Sequence, residues 1–177
     1  RPTKCPQVSG YLARPSSGLP GPAVLVCHEN RGLTPHIEDV DRRFAKAGYV
    51  ALAPDLLSRE GGTAALHRDA VPGALTRAGA HRHAADFAAA FCGPAPDLAK
   101  VPGIKAAALG VYAELDQRIT GGMPALEDAL EKSGVVHRLT VYPGVDHAFH
   151  NDTGDRYNEA QATAAWNDTL AWLAEHV

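Results

Sequence analysis

The constraint that most limits the fold of this chain is a buried-type apolar run that stops dead. In Val24-Leu-Val-Cys-His-Glu-Asn-Arg-Gly-Leu33 a short aliphatic stretch gives way at once to polar residues and a glycine. An apolar run without polar alternation reads as a parallel strand covered on both faces. In open α/β sheets, ligands bind beyond the carboxyl ends of such strands. Glu29 therefore stands where a site residue would stand. The same layout recurs at Tyr112-Ala-Glu-Leu-Asp116 and at Tyr142-Pro-Gly-Val-Asp-His-Ala-Phe-His150. Three strand ends carrying ionisable residues imply one composite site.

The rest of the chain supplies alternating elements. Strands are expected at Val8–Ala13, Ala23–Cys27, Tyr49–Ala53, Ala106–Tyr112 and Val135–Tyr142. Thr34 and Pro35 mark a helix start, with Ile37, Val40, Phe44 and Ala45 on one face and Gly48 past its end. Further helices are expected over His81–Ala90, around Met123, Leu126 and Leu130, and from about Tyr157 to His176, with Ala164, Leu170 and Leu173 facing inward. The stretch His67 to His83 reads as a solvated segment over the site. Strands alternating with helices make an α/β protein, a mostly parallel sheet with right-handed crossovers and helices on both faces. With 177 residues, a single domain spanning 1–177 is expected.

Bulk properties narrow the function. A net charge of −3 provides no basic face for nucleic acid and no polybasic membrane patch. No apolar run approaches membrane-spanning length. Three cysteines without metal-type spacing point to a reducing compartment, the cytoplasm, unless processing has removed a leader. The histidine pairs His81/His83 and His147/His150 lack zinc-site spacing, and no phosphate-binding glycine motif is present, so neither metal nor cofactor is expected.

Four segments in order, His28-Glu-Asn-Arg-Gly-Leu, Gly48-Tyr-Val-Ala-Leu-Ala-Pro-Asp55, Tyr112 to Asp116 and Tyr142 to Asp152, resemble the dienelactone hydrolase (carboxymethylenebutenolidase-like) family of the α/β-hydrolase fold. The resemblance runs from about Val8 to the C-terminus. It implies Asp116 as the triad acid, His147 as the base, Glu29 as a glutamate acting on the nucleophile, and the Asn30 backbone N–H as an oxyanion donor. The substrate it implies is a small ester or lactone. The family's arginine four residues after the histidine is Asn151 here, which argues against a carboxylate-bearing dienelactone. Read singly, Asp116 also suits a helix cap, and Asp146 or His150 competes with His147. The order acid then histidine is that of the fold's triads.

One motif is absent. The family carries its nucleophile on a strand-to-helix elbow, Gly-x-Cys-x-Gly or Gly-x-Ser-x-Gly, and this chain has neither. A strand–helix–strand unit takes about 30 residues or more. The expected place for it is between the His81–Ala90 helix and Gly93-Pro-Ala-Pro, where Phe91-Cys92-Gly93 resembles the end of the unit's second strand. Cys92 is the fallback nucleophile, disfavoured because Pro94 replaces the second elbow glycine and no helix follows; Cys27 reads as core and Cys5 as incidental. Two readings follow: a hydrolase of small ester or lactone substrates, or a catalytically inactive binding or assembly protein on the same frame. An assembly of like chains is compatible with both.

Overall fold

The computed structural model describes residues 8–16, 21–78 and 89–176. The chain forms two compact units, Arg1–His83 and Ala84–Val177. Cys5, the His81/His83 pair and the 81–88 part of the expected helix lie outside the described residues.

The first unit holds a three-stranded sheet in the order β1 (Gly10–Ala13), β3 (Val50–Pro54), β2 (Ala23–Leu25). β1 runs antiparallel to β3 and β2 runs parallel to it. Helix α1 (Pro35–Lys46) connects β2 to β3 and packs on β3 and β1. Pro35 opens it, as its fixed φ favours, and Gly48 at φ 98° follows its end. Thr34 occupies the N-cap with extended backbone, but its side chain makes no cap bond. The inward face is His36, Ile37, Asp41 and Phe44, rotated from the expected set: Val40 and Ala45 are only half-buried. Asp41 is fully buried. Burial pushes its carboxyl up to about 6, against smaller opposing effects of the Ala53 backbone and Arg42.

On the sheet's opposite faces the side chains differ sharply. Ala13, Ala51 and Ala53 are buried, small enough to let α1 approach closely. Leu12, Leu52 and Leu25 stand in register on the other face and are 58%, 40% and 55% exposed. After β3 come three single 3₁₀ turns and then helix α2 (Val71–Ala78). Val71, Ala74 and Leu75 pack with Leu57 in a core of their own. That part of the stretch expected to be a solvated segment is therefore a packed helix, because apolar residues recur at i, i+3 and i+4.

The second unit holds a three-stranded parallel sheet, β4 (Ala89–Phe91), β5 (Ala108–Ala113), β6 (His137–Tyr142). Ala89 and Ala90, expected to be helical, are strand; pairing to Leu109 and Gly110 overrides alanine's helix preference. β5 pairs with β4 on one side and β6 on the other. Every residue of β5 after Ala108 is buried. Between β5 and β6 lie the four-residue helix α3 (Gln117–Thr120) and α4 (Met123–Lys132), with Leu126 and Leu130 inward and Gly134 at φ 66° closing it. Helix α5 (Glu159–His176) buries Ala165, Thr169, Trp172 and Leu173. Leu173 is inward as expected, whereas Ala164 faces out and Leu170 is half-buried, their neighbours Ala165 and Thr169 holding the inward positions. Leu109, Val111, Tyr142, Phe149 and Trp172 form the core.

Candidate active site

The acid and base candidates come from neighbouring strands of the second unit. β5 ends at Ala113 and β6 at Tyr142, and the loops beyond them are laced together. Glu114 N–H donates to the Tyr142 carbonyl at 3.0 Å, Leu115 N–H to the Val145 carbonyl at 2.9 Å, and Gly144 N–H to Glu114 Oε2 at 2.7 Å. Gly144 takes φ 68°, where a side chain would be strained. This lacing places Asp116 opposite His147.

His147 Nδ1 lies 2.7 Å from Asp116 Oδ2. A carboxylate only accepts, so Nδ1 carries the proton and Nε2 is left as the basic nitrogen. Asp116 sits at the N-cap of α3 but does not cap it. Its carboxyl is committed to the imidazole instead. Asp116 is buried, while the His147 ring is partly exposed. Such burial strengthens a charge-assisted bond. The Arg118 guanidinium stands 3.9 Å from the same Oδ2, a residue that the sequence did not single out.

The other candidates at this strand end have different tasks. Asp146 Oδ1 accepts from His147 N–H at 2.7 Å, and its Oδ2 faces Arg156 Nε at 3.5 Å. It fixes backbone rather than the ring. The His150 ring packs on Phe91, with centroids 5.0 Å apart. Ala148 is held at φ 65°, a left-handed conformation costly for a residue with a Cβ, and Phe149 beside it is fully buried. The turn between the histidines is thereby over-determined.

Cys92 also lies in the second unit. It is 5% exposed, takes φ 47°, and its N–H donates to the Val111 carbonyl at 2.9 Å. It belongs to the cluster of Val111, Val145, Phe149 and Trp172. Irregular chain follows it until the 3₁₀ segment Leu98–Gly103, so no helix starts directly after Cys92.

Glu29 and Asn30 belong to the first unit, in an exposed turn beyond β2. The turn is built on His28. Leu56 N–H donates to His28 Nε2 at 3.1 Å, which puts the ring proton on Nδ1 and makes Nδ1 the donor to the Glu29 carbonyl at 2.9 Å. Gly32 N–H also donates to that carbonyl, at 3.2 Å. Asp55 braces the far end: Oδ1 accepts from Leu57 N–H at 3.0 Å and Thr63 Oγ1 at 2.9 Å, and Oδ2 from Thr63 N–H at 2.6 Å. Thr63 Oγ1 in turn accepts from Leu33 N–H at 2.9 Å. Gly32, at φ 79°, could not carry a Cβ there, which would fall 2.4 Å from Thr63 Oγ1. The Asn30 N–H makes no hydrogen bond among the described residues. Thr63 and the structural role of His28 escaped the sequence; the Gly61-Gly62 pair before Thr63 is the one signal that a tight approach was needed. Burial raises the Cys27 thiol, away from the thiolate that a nucleophile requires.

Among the described residues no group of three or more histidine, cysteine or acidic side chains converges as a metal site, and no helix is long and apolar enough to cross a membrane.

Comparison with known proteins follows this geometry. A profile of the "Dienelactone hydrolase family" matches residues 8–78 and 70–177, two stretches that meet at 70–78. The Escherichia coli protein named "Putative hydrolase fragment YghX" is 66% identical over 58 residues, 32% of this chain and 49% of that protein. This chain therefore spans about half of that relative. The Saccharolobus solfataricus protein named "Putative carboxymethylenebutenolidase" is 26% identical, covering 94% of this chain and 93% of the relative. That alignment runs over 242 positions against a chain of 177 residues, so the relative carries dozens of residues with no counterpart here. The solved structure titled a "Putative Dienelactone Hydrolase" from Klebsiella pneumoniae superposes with a TM-score of 0.83 at 25% identity, covering 99% of this chain and 96% of that one. The two matched stretches join earlier than the expected site of the missing unit, which was placed after residue 90.

Proposed function

The chain belongs to the dienelactone hydrolase family, and we propose that its Asp116–His147 pair is the acid–base half of an acyl-transfer site for small ester or lactone substrates. The observation that carries this reading is the 2.7 Å contact that fixes the His147 tautomer with Nε2 free to take a proton. A nucleophile at Nε2 would lose its proton to His147 as it attacks the acyl carbon. Asp116 would hold the resulting imidazolium, and His147 would return the proton to the leaving alkoxide. The Asn30 N–H suits the role of oxyanion donor, and the exposed Glu29 that of a carboxylate acting on the nucleophile. No cofactor enters this chemistry. The net charge and the cysteine usage favour a cytoplasmic, small-molecule enzyme.

Cys92 is assigned to the core rather than to nucleophilic attack, because it is buried in the cluster of Val111, Val145, Phe149 and Trp172 and no helix starts directly after it. The 177 residues then supply base and acid without the elbow. Triads stripped of one member retain roughly 10³–10⁴-fold catalysis over water, so weak turnover through a bound water is expected. The test is hydrolysis of p-nitrophenyl acetate by chain of verified intact mass, beside His147→Ala and Cys92→Ala. Weak turnover lost in His147→Ala and kept in Cys92→Ala supports the reading. Turnover indifferent to His147→Ala refutes it and leaves the binding-protein alternative.

A further inference from the structure

Two donors converge on one carbonyl in the turn beyond β2. The Glu29 oxygen accepts from His28 Nδ1–H at 2.9 Å and from Gly32 N–H at 3.2 Å. The second bond closes the turn on itself. The first comes from a ring that is fully buried. A trans peptide is planar, and its C=O and N–H point in opposite directions. The oxygen of Glu29 and the N–H of Asn30 share one such plane. Whatever holds the oxygen therefore aims the N–H, which is turned away from the His28 ring and from the inside of the turn. Asn30 is exposed, and its N–H has no partner among the described residues. A backbone donor held in one direction before any charge develops is what an oxyanion site needs.

His28 does this in one tautomer only. A neutral imidazole has one donor and one acceptor nitrogen. Leu56 N–H takes Nε2 as its acceptor at 3.1 Å, which leaves the ring proton on Nδ1, facing Glu29. The Asp55 carboxylate stands 3.9 Å from Nε2, too far for a hydrogen bond. It is engaged instead by Leu57 N–H and by Thr63, whose Oγ1 accepts from Leu33 N–H just past the turn. The chain leaving β3 thus selects the tautomer, and the tautomer aims the peptide.

We infer that His28 is a positioning residue for acyl transfer: its Nδ1–H, acting through the Glu29 carbonyl, aims the Asn30 N–H as an oxyanion donor. This rests on the proposed chemistry of the site. A His28 that merely supports the fold would depend on both of its bonds alike, whereas a positioning His28 depends on the donor. Two variants separate these roles. The amide nitrogen of an asparagine lies where Nδ1 does, so His28→Asn keeps the donor to Glu29 and gives up the acceptor for Leu56. The amide oxygen of a glutamine lies near Nε2, so His28→Gln keeps the acceptor and gives up the donor.

The experiment measures p-nitrophenyl acetate turnover by the full chain of verified mass, by both variants and by His147→Ala. Thermal melts and nitrogen NMR of the histidine rings accompany it, with the His28 signals assigned by their loss in His28→Asn. Removing an oxyanion donor outright costs about 10²–10³ in kcat. Misaiming one in His28→Gln is expected to lower kcat at least about tenfold and leave KM within about twofold, the mark of an interaction made in the transition state. The melting midpoint of that variant is expected to stay near the parent's. His28→Asn is expected to melt lower, with Leu56 N–H unpartnered, yet to keep kcat within about threefold. The parent ring is expected to carry its proton on Nδ1. A proton on Nε2 overturns the inference, as does a kcat lost equally in both variants or one that follows the melting midpoint. So does His147-dependent turnover that His28→Gln leaves untouched. Turnover indifferent to His147→Ala refutes the proposed chemistry instead, and the oxyanion assignment falls with it.

Discussion

Asp55→Ala should destabilise the first unit far more than the loss of one surface charge would. The carboxylate accepts three hydrogen bonds, from Leu57 N–H, Thr63 N–H and Thr63 Oγ1. Leu57 is fully buried, so its N–H would lose its partner out of reach of water. A buried donor left unsatisfied costs about 1–3 kcal/mol. Thr63 is half-buried, and water would restore part of its loss. The total is about 3–5 kcal/mol. At roughly 2–4 °C per kcal/mol for a chain of this length, the midpoint should fall by about 10 °C. Thr63→Val removes the Asp55–Thr63 hydroxyl bond and orphans Leu33 N–H, for about 1–2 kcal/mol. Because Thr63 Oγ1 bridges both partners, the double variant should cost less than the sum. Thermal melts followed by circular dichroism at neutral pH give these values, and amide exchange at Leu33 reports the turn. A drop under about 2 °C for Asp55→Ala, or strict additivity in the double variant, would show that the brace does not hold the Glu29 turn.

Two further outcomes follow from burial. Asp41 titrates near 6 in the folded chain instead of 3.8, so the folded state binds a proton more readily than the unfolded state between about pH 4 and 6. Stability from this group is fully present below pH 4 and lost as pH rises through 6, a span of about 3 kcal/mol; Asp41→Ala should raise the midpoint at pH 7 and flatten that part of the profile, and a variant less stable at pH 7 would refute this. Phe149→Ala should cost about 3–5 kcal/mol, since the ring is fully buried under the His147 turn; a midpoint within 3 °C of the parent would show that the ring does not anchor it.

The site candidates were legible because each follows an apolar run at a strand end, a position readable from sequence. Which partner each takes was not. Asp116 before a helix suited a cap equally well, and only the lacing of Glu114, Leu115 and Gly144 directs it to His147. On α1 and α5 the expected Ile37, Phe44 and Leu173 are buried, but Val40, Ala45, Ala164 and Leu170 are not, because Asp41 and Thr169, polar by type, take inward positions. Thr169 achieves this by donating to the Ala165 carbonyl at 2.8 Å, a bond invisible to hydropathy. Ala89 and Ala90 carry helix preference, and the neighbour that makes them strand lies about 20 residues away in β5.

The acid and base hang from adjacent strands of one parallel sheet, and the hydrogen bonds that lace their two loops together join residues between Ala113 and His147. Their alignment is thus inherited as one short block of gene. A nucleophile brought within reach of His147 Nε2 would therefore meet a proton acceptor that is already oriented.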